Sequence, residues 1–255
     1  MNKKLLLLYV LACWSLIGFS QASQKQGEAF YMLDANHKGT SPEKAIYFIH
    51  AEKIYDSCWQ FDEYSLYGPI ISSGQYKDEK GEVANGHFSF YNSKGKIDSS
   101  GNYANGLQDG DWYFFNDTSR YYLQKKYASG VLADQIDIIS QDAINKERLD
   151  NAPENSTDEV EADFIGGQSR WIYYLGKNMV YPDRALKADK QGTVVVQFVI
   201  DEEGNVINPE IAQSVEYSID REALRIIKNS PTWKPGVRKG EHVKSFKKQP
   251  LTFRF

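Results

Sequence analysis

Histidines and closely spaced acidic residues are the side chains of this sequence that could bind a metal or carry out acid–base chemistry. No two of the four histidines have the i, i+4 spacing with which a helix presents two ligands to zinc. An Asp-Gly-Asp run begins at Asp109 as in a calcium loop, but the distal glutamate of such a loop does not follow, so a turn is expected there. The histidines are His37, His50, His87 and His242. The sequence therefore predicts no metal site and no cofactor.

Motifs for nucleophilic or phosphate chemistry are also absent from the sequence. It contains no glycine-rich loop followed by Lys-Ser or Lys-Thr, and no Gly-x-Ser-x-Gly turn. Trp233 could stack on a ligand, but a large aromatic that is followed by Pro235 and Gly236 more often fills a core, and we expect that role. The protein is therefore predicted not to be an enzyme.

The first residues have the three-part pattern of a secretory signal. Lys3 and Lys4 precede an apolar run from Leu5 to Phe19, and small and polar residues follow. We expect residues 1–20 to be a signal peptide and the mature protein to be periplasmic. Two alternatives stay open, an uncleaved N-terminal anchor and a lipid anchor at Cys13, where residues 10–13 resemble a lipoprotein box.

Charge divides the chain into an acidic and a basic part. Residues 1–163 carry 15 basic and 24 acidic side chains, whereas residues 164–255 carry 15 basic and 10 acidic ones. This change supports a domain boundary near residue 163. An excess of five positive charges without a basic stripe and stacking aromatics does not predict nucleic-acid binding. The loop and strand charges can either steer an acidic partner or face solvent; they are Arg238, Lys239, Lys244, Lys247 and Lys248.

A sequence repeat with an offset of 24 residues occupies the middle of the chain. Within each unit, aromatic residues alternate with polar ones, and Asn-Gly or Asp-Gly pairs mark the ends, which is typical of short strands joined by tight turns. The first set of residues, Gly86, Phe88, Phe90, Tyr91 and Asn92, returns as Gly110, Trp112, Phe114, Phe115 and Asn116.

These units resemble the bacterial variant of the MORN repeat over about residues 64–132. The first unit has a three-residue insertion and the last is truncated. We therefore predict an N-terminal all-β hairpin-repeat region over residues 23–132, whose default role is structural or adhesive because stacked repeats bury their faces against one another. Residues 133–163 are predicted to be a short helix, from Asp134 to Leu149, and an acidic linker from Asp150 to Asp163.

The last ninety residues predict an α+β domain, with helices on a three-stranded antiparallel sheet. Val, Phe and Ile dominate Thr193 to Ile200, and Asp201 to Asn205 turn this strand back into Val206 to Ala212. Helices are expected over Ser169 to Leu175, from Pro182, and over Asp220 to Lys228, and a last strand over Lys247 to Phe255.

Proline placement predicts which strands lie on the outside of this sheet. Pro209 cannot donate a hydrogen bond to a neighbouring strand, so its strand is expected at one edge and the C-terminal strand at the other. An extended partner peptide could pair with that second edge, and Leu251, Phe253 and Phe255 are expected to pack inward. The candidate binding residues are Pro250, Leu251, Thr252, Phe253, Arg254 and Phe255.

Residues 164–255 resemble the TonB C-terminal domain, whose motifs they carry in order and at similar spacing. The motifs are Phe164-Ile165-Gly166-Gly167, Tyr181-Pro182 with Ala185, Gly192-Thr193-Val194, Gly204-Asn205-Val206, Glu222-Ala223-Leu224, Trp233-Lys234-Pro235-Gly236 and Leu251-Thr252-Phe253-Arg254-Phe255. The resemblance implies a periplasmic domain that binds a peptide of outer-membrane receptors through its last strand and transmits energy to them.

The rest of the chain departs from that family. The short apolar N-terminal run, the linker with one proline and the repeats stand where a TonB protein has a membrane anchor and a long proline-rich spacer. The leading hypothesis is a non-catalytic envelope module that binds a partner peptide by β-strand addition and is linked to energy-dependent outer-membrane transport. The alternative is a structural scaffold of the envelope with no role in transport.

Overall fold

The structure is a computed structural model that describes residues 27–115, 121–139 and 159–255. The predicted signal peptide and Cys13 lie outside these ranges. No helix in the described part of the chain is long and apolar enough to cross a membrane.

A nine-stranded antiparallel sheet forms the N-terminal region. Each strand pairs with the next one along the chain, so that the spatial order is the sequence order from β1 to β9. The strands are β1 (Glu28–Leu33), β2 (Tyr47–Tyr55), β3 (Cys58–Ser65), β4 (Ile70–Tyr76), β5 (Ala84–Tyr91), β6 (Ile97–Ala104), β7 (Leu107–Phe115), β8 (Tyr121–Ala128) and β9 (Val131–Ile139). The all-β antiparallel prediction for this region is therefore confirmed.

Two tight turns explain the Gly pattern of the repeat. Asn105 and Gly106 join β6 to β7 with φ values of 51° and 82°, and Ser129 and Gly130 join β8 to β9 with φ values of 48° and 83°. Two consecutive residues with positive φ make the turn whose twist matches that of a hairpin, and Asn and Gly adopt this conformation at low cost.

Buried aromatic rings lie over glycines of the neighbouring strands. A Cβ atom on Gly74 would come within 2.1 Å of the Phe88 ring, and one on Gly101 within 2.4 Å of the Trp112 ring. Phe88 and Trp112 are separated by the 24-residue offset, and both are almost completely buried. The indole Nε1 of Trp112 donates to the backbone carbonyl of Asn102 at 3.0 Å. The repeat therefore places a ring on one strand and a glycine, which leaves room for it, on the strand before.

The helix predicted from Asp134 is wrong for its first six residues. Asp134 to Ile139 belong to β9, which pairs with β8 from Val131 to Ile139. The remainder of the predicted helix, and residues 150–158 of the predicted linker, lie outside the described ranges. The last residues of that linker form two short strands, β10 (Glu159–Val160) and β11 (Asp163–Phe164).

The C-terminal region is a mixed α+β fold. Its helices are α1 (Gly167–Asn178), α2 (Asp183–Lys187) and α3 (Tyr217–Lys228), and α1 continues past Leu175, the predicted end of this helix. The strands are β12 (Gly192–Ile200), β13 (Val206–Gln213), β14 (Trp233–Lys234), β15 (Gly236–Arg238), β16 (Glu241–Val243) and β17 (Ser245–Phe253). β13, β12 and β17 form a three-stranded sheet in that order; β10 pairs with β15, and β11 with β14.

The core of this region lies between β12 and α3. Alternate residues of β12 face the helix, which presents its own apolar residues at helical spacing. Trp233 is 3% exposed and packs edge-on against Phe164 and Phe198, so it fills the core as expected. The buried side chains of the two elements are Val194, Val196, Phe198 and Ile200 on β12, and Ile219, Ala223, Ile226 and Ile227 on α3.

One hydrophobic core crosses the boundary predicted near residue 163. Phe48, Tyr64, Ile70 and Tyr91 of the nine-stranded sheet belong to the same buried cluster as the β12 and α3 residues. The two regions are therefore packed against each other, although the charge change does fall between them.

Candidate binding edge of the C-terminal sheet

The three-stranded sheet has two outside edges, and they have different surroundings. β12 lies in the middle, paired with β13 on one side and with β17 on the other. Its pairing with β17 runs without interruption from Gly192 opposite Phe253 to Ile200 opposite Ser245. A binding edge must have free backbone groups, so the contacts of β13 and β17 decide which edge can accept a partner strand.

The nine-stranded sheet covers the C-terminal half of the β13 edge. Lys96, in the turn between β5 and β6, forms an isolated antiparallel bridge with Gln213. The amide of Ser214 donates to the Gly95 carbonyl at 2.8 Å, and the Tyr91 hydroxyl donates to the Ile211 carbonyl at 2.8 Å. These backbone groups are therefore used within the chain.

Glu210 of β13 accepts hydrogen bonds from both sheets. Its carboxylate contacts His87 Nε2 at 3.2 Å and the Ser89 hydroxyl on β5, and it accepts from Gln197 Nε2 at 2.9 Å on β12. Burial favours the neutral acid, but the bonds from His87, Ser89 and Gln197 outweigh it and lower the pKa of Glu210. For His87, burial opposes the charge, and the bond to Glu210 raises the pKa of the imidazole overall.

A second set of polar contacts joins α2 and α3 to the nine-stranded sheet. Arg184 donates to the buried carboxylate of Glu216 and to the backbone carbonyl of Leu66. Its guanidinium also lies 5.2 Å from the ring centroid of Phe48 and 5.1 Å from that of Tyr67. Arginine combines a bidentate charge with a flat face that stacks on aromatic rings, which suits it to this position.

Asp220 is a fully buried carboxyl group between the two regions. It accepts hydrogen bonds from the Tyr64 hydroxyl at 3.2 Å, from the Ser214 hydroxyl, and from the Val215 amide at 3.0 Å. Burial raises the pKa of Asp220 to about 7, even though the three hydrogen bonds favour the ionised form. The interface is therefore most favourable when this carboxyl group is protonated.

The stability of the folded protein should consequently fall as pH rises, because Asp220 ionises at a lower pH in the unfolded chain than in the folded protein. The pKa is raised in the folded state, so the loss begins near the unfolded pKa of 3.8 and is complete above about 7. Asp220→Asn should remove this dependence. The free energy of unfolding of the variant minus that of the wild type should therefore be about 2 to 3 kcal/mol larger at pH 8 than at pH 5. Urea unfolding of both proteins at both pH values measures this change. The same difference at pH 5 and pH 8 would contradict a raised pKa of Asp220.

The β17 edge has no strand beside it in the described ranges, and Pro250 shows which of its residues point outward. Proline has no N–H, yet it lies opposite Val195 within the uninterrupted pairing to β12. Its backbone must therefore face away from β12, and residues of the same parity, including Lys248 and Thr252, direct their N–H and C=O groups to the free side. Phe253 has the opposite parity and faces Gly192.

Side chains alternate along β17. Leu251 and Phe253 are buried, each 1% exposed, whereas Thr252 is exposed and its hydroxyl lies 2.9 Å from that of Thr193. The expectation that Phe255 packs inward is wrong, because it follows the end of β17, is 63% exposed and stacks on Tyr181. The alternation holds only while β12 supplies a partner, and the pairing ends at Gly192.

The chain from Lys244 to Phe255 is strongly basic. It contains four basic residues and no acidic one, which favours an acidic partner over a neutral one. Two of the basic residues considered for steering are already paired: Arg238 Nε lies 2.8 Å from Glu159, and Lys247 Nζ lies 3.7 Å from Glu161. The exposed side chains on the open side of β17 are Phe246, Lys248, Pro250 and Thr252.

The structure places the predicted site residues on one strand end but does not make all of them accessible. Pro250, Thr252, Arg254 and Phe255 are exposed, whereas Leu251 and Phe253 belong to the core. Sequence reasoning missed Phe246 and considered Lys248 only as a charge that could steer a partner, although both share the outward parity of Pro250. No cluster of three metal-ligating residues occurs within the described ranges.

The C-terminal region is similar to one known protein family. Residues 177–255 match the family model of the Gram-negative bacterial TonB protein C-terminal. This family comprises non-enzymatic protein-interaction domains of the periplasmic envelope. The TonB match begins within α1, so the Phe164-Ile165-Gly166-Gly167 motif precedes it, and no family match covers the predicted MORN repeats. Comparisons with curated proteins and with solved structures gave no match.

Proposed function

We propose that this protein is a non-catalytic binding module of the cell envelope that adds an extended segment of a partner protein to the free edge of β17. The main support is that the two edges of the three-stranded sheet differ in whether their backbone groups are already hydrogen-bonded. The C-terminal half of the β13 edge is closed by Tyr91, Gly95 and Lys96, whereas the outward backbone groups of β17 face no other described strand along its whole length.

The basic side chains of β17 narrow the class of partner. Main-chain pairing alone is indifferent to sequence, so side chains beside the edge must supply the selectivity. Lys248 and Arg254 favour carboxylates, and Phe246 offers an exposed apolar ring beside Lys248, whose Nζ lies 5.7 Å from the ring centroid. We therefore expect the partner segment to carry carboxylates and apolar side chains. The TonB-like region favours a segment that belongs to an outer-membrane receptor.

The nine-stranded sheet holds the C-terminal region in a fixed position. A spacer would have to stand apart from the C-terminal region, whereas the shared core and the Arg184, Glu210 and Asp220 contacts hold the two regions together. Force or position would therefore be passed between them as through a single body.

A scaffold without a transport role is the second candidate. The observation that favours it is the apolar surface of β9, where Val131, Leu132 and Ile136 are between 48% and 68% exposed at the outer edge of the sheet. Long exposed edges with apolar side chains pair readily with other proteins.

Site-specific photocrosslinking in intact cells tests the proposal and separates the candidates. A photoreactive residue at Thr252 or at Lys248 should form partner adducts in high yield, because both positions have outward backbone parity and exposed side chains. The same residue at Lys228, exposed at the end of α3, is the matched control. Recovery of outer-membrane receptors supports the proposal; equal yields at Lys228, or adducts only with scaffold proteins, contradict it.

A further inference from the structure

A groove beside α1 forms a second candidate binding surface, on different residues from those of the β17 edge. Its volume is about 360 Å³. It lies between one face of α1, the segment that precedes this helix, and the segment that follows α3. Phe164, Ile165, Tyr173 and Pro231 supply apolar walls, and Arg170 and Lys177 line it as well.

Two of the apolar walls of this groove are exposed, whereas Phe164 at its base belongs to the core. Ile165 is 55% exposed and Tyr173 is 62% exposed. Apolar and aromatic side chains that line a concave surface lose free energy by remaining in water, so a ligand that covers them would be stabilised. Arg170, Tyr173 and Lys177 lie at helical spacings of three and four residues, which places them along one stripe of α1.

Charge defines the ligand that this groove fits. α1 contains two basic residues, Arg170 and Lys177, and no acidic one, and no acidic side chain lines the groove. Neither cation forms an ion pair with another residue of the described ranges; Lys177 Nζ instead lies 5.8 Å from the ring centroid of Tyr173. The groove is therefore an apolar trough with one cation outside these ion pairs on each side of Tyr173 along α1.

We propose that this groove binds a short acidic peptide segment of a partner protein, with an apolar side chain in the trough and a carboxylate at each cation. Arg170 and Lys177 are seven residues apart, which is about 10 Å along a helix axis. An extended peptide rises about 3.3 Å per residue and alternates its side chains between two faces, so two carboxylates four residues apart lie on one face and span about 13 Å, within reach of these two long cationic side chains. Charge complementarity thus sets the spacing of the ligand as well as its sign.

Binding of a defined probe tests this site in the full chain. The probe is the end-blocked peptide Gly-Glu-Ser-Phe-Ser-Glu-Gly, whose two glutamates and phenylalanine lie on one face when it is extended, and its control is the same peptide with glutamine in place of both glutamates. We expect a Kd of about 0.1 mM by calorimetry for the acidic peptide, as a few apolar contacts and two exposed ion pairs allow, and binding at least about tenfold weaker for the control. Raising the salt concentration should weaken the acidic peptide by screening both charges.

Variants of α1 assign the binding to this groove. Tyr173→Ala and the double variant Arg170→Gln, Lys177→Gln should each weaken the acidic peptide about tenfold or more, because each removes one of the two parts of the site. Ile172→Ala is the matched control, since Ile172 is 59% exposed on the same helix but does not line the groove. Circular dichroism checks that each variant folds, and Thr252→Pro should leave this binding unchanged, which separates it from the β17 edge.

Four outcomes overturn the proposal. They are no binding of the acidic peptide at about 1 mM, equal binding of the glutamine peptide, wild-type affinity in both groove variants, and insensitivity of the wild-type protein to salt. Association with phosphatidylglycerol vesicles in the absence of peptide binding would also overturn it, because the same two cations would then serve a lipid surface.

Discussion

Phe253→Pro is expected to unfold the C-terminal region, whereas Thr252→Pro should leave it folded and abolish binding at β17. Phe253 has the inward parity, so proline removes a hydrogen bond to β12 and also replaces a ring that is 1% exposed. The cost should be about 5 kcal/mol or more, from the lost ring and the broken ladder together. Thr252 has the outward parity of Pro250, so its proline removes a donor that only a partner strand would use.

Thermal unfolding and binding must both be measured to interpret this pair. Thr252→Ala and Phe253→Leu are the matched controls, because they change the side chain and keep the N–H. The expected pattern is a large loss of Tm for Phe253→Pro alone, and loss of the crosslinked or captured partner for Thr252→Pro alone. If both proline variants fold and bind the partner as the wild type does, strand addition at this edge is wrong.

Trp112→Ala should destabilise the nine-stranded sheet by about 3 to 5 kcal/mol, the cost usual for deleting a buried aromatic side chain. Trp112 is 1% exposed, covers Gly101 and donates to the Asn102 carbonyl, so alanine leaves a cavity and removes this hydrogen bond. Its cluster, with Ala84 and Phe88, is separate from the core shared with the C-terminal region.

Hydrogen exchange on the whole protein distinguishes this local effect from general unfolding. Protection should fall in β5 to β8 and remain in β12 and α3. Leu107→Ala, at a half-exposed position on the same strand as Trp112, is the control and should change stability by less than about 0.5 kcal/mol. Unchanged protection in Trp112→Ala would show that the aromatic ladder does not stabilise the sheet.

Local sequence patterns were sufficient for the fold class of both regions. Asn105-Gly106 fixes a hairpin because it tolerates positive φ, and the spacing of Phe88 and Trp112 marks equivalent strands. The position of Pro209 indicates an edge for a reason that needs no tertiary information, since a missing donor is tolerated only outside a ladder. The α+β class of the C-terminal region and the all-β class of the N-terminal region follow from such signals.

The failures concern interactions with distant partners. The apolar residues Ile136, Ile139 and Ala143 have spacings that fit a helix, but β8 provides a pairing partner for the first two, so tertiary structure overrides the local pattern. Glu216 and Asp220 look like ordinary surface acids at the start of a helix. They are buried only because Arg184, Tyr64 and Ser214 approach them from other elements.

The consecutive order of the nine-stranded sheet has a consequence for how such a protein can change in length. The contacts described here between this sheet and the C-terminal region come from β1 to β6 and their turns, which leaves the β9 end outside them. Gain or loss of one 24-residue unit would add or remove two strands, or about 10 Å of width at the usual strand spacing. Duplication at that end could therefore move an outer surface closer or further away, like a ruler, without any compensating substitution around Asp220 or β17.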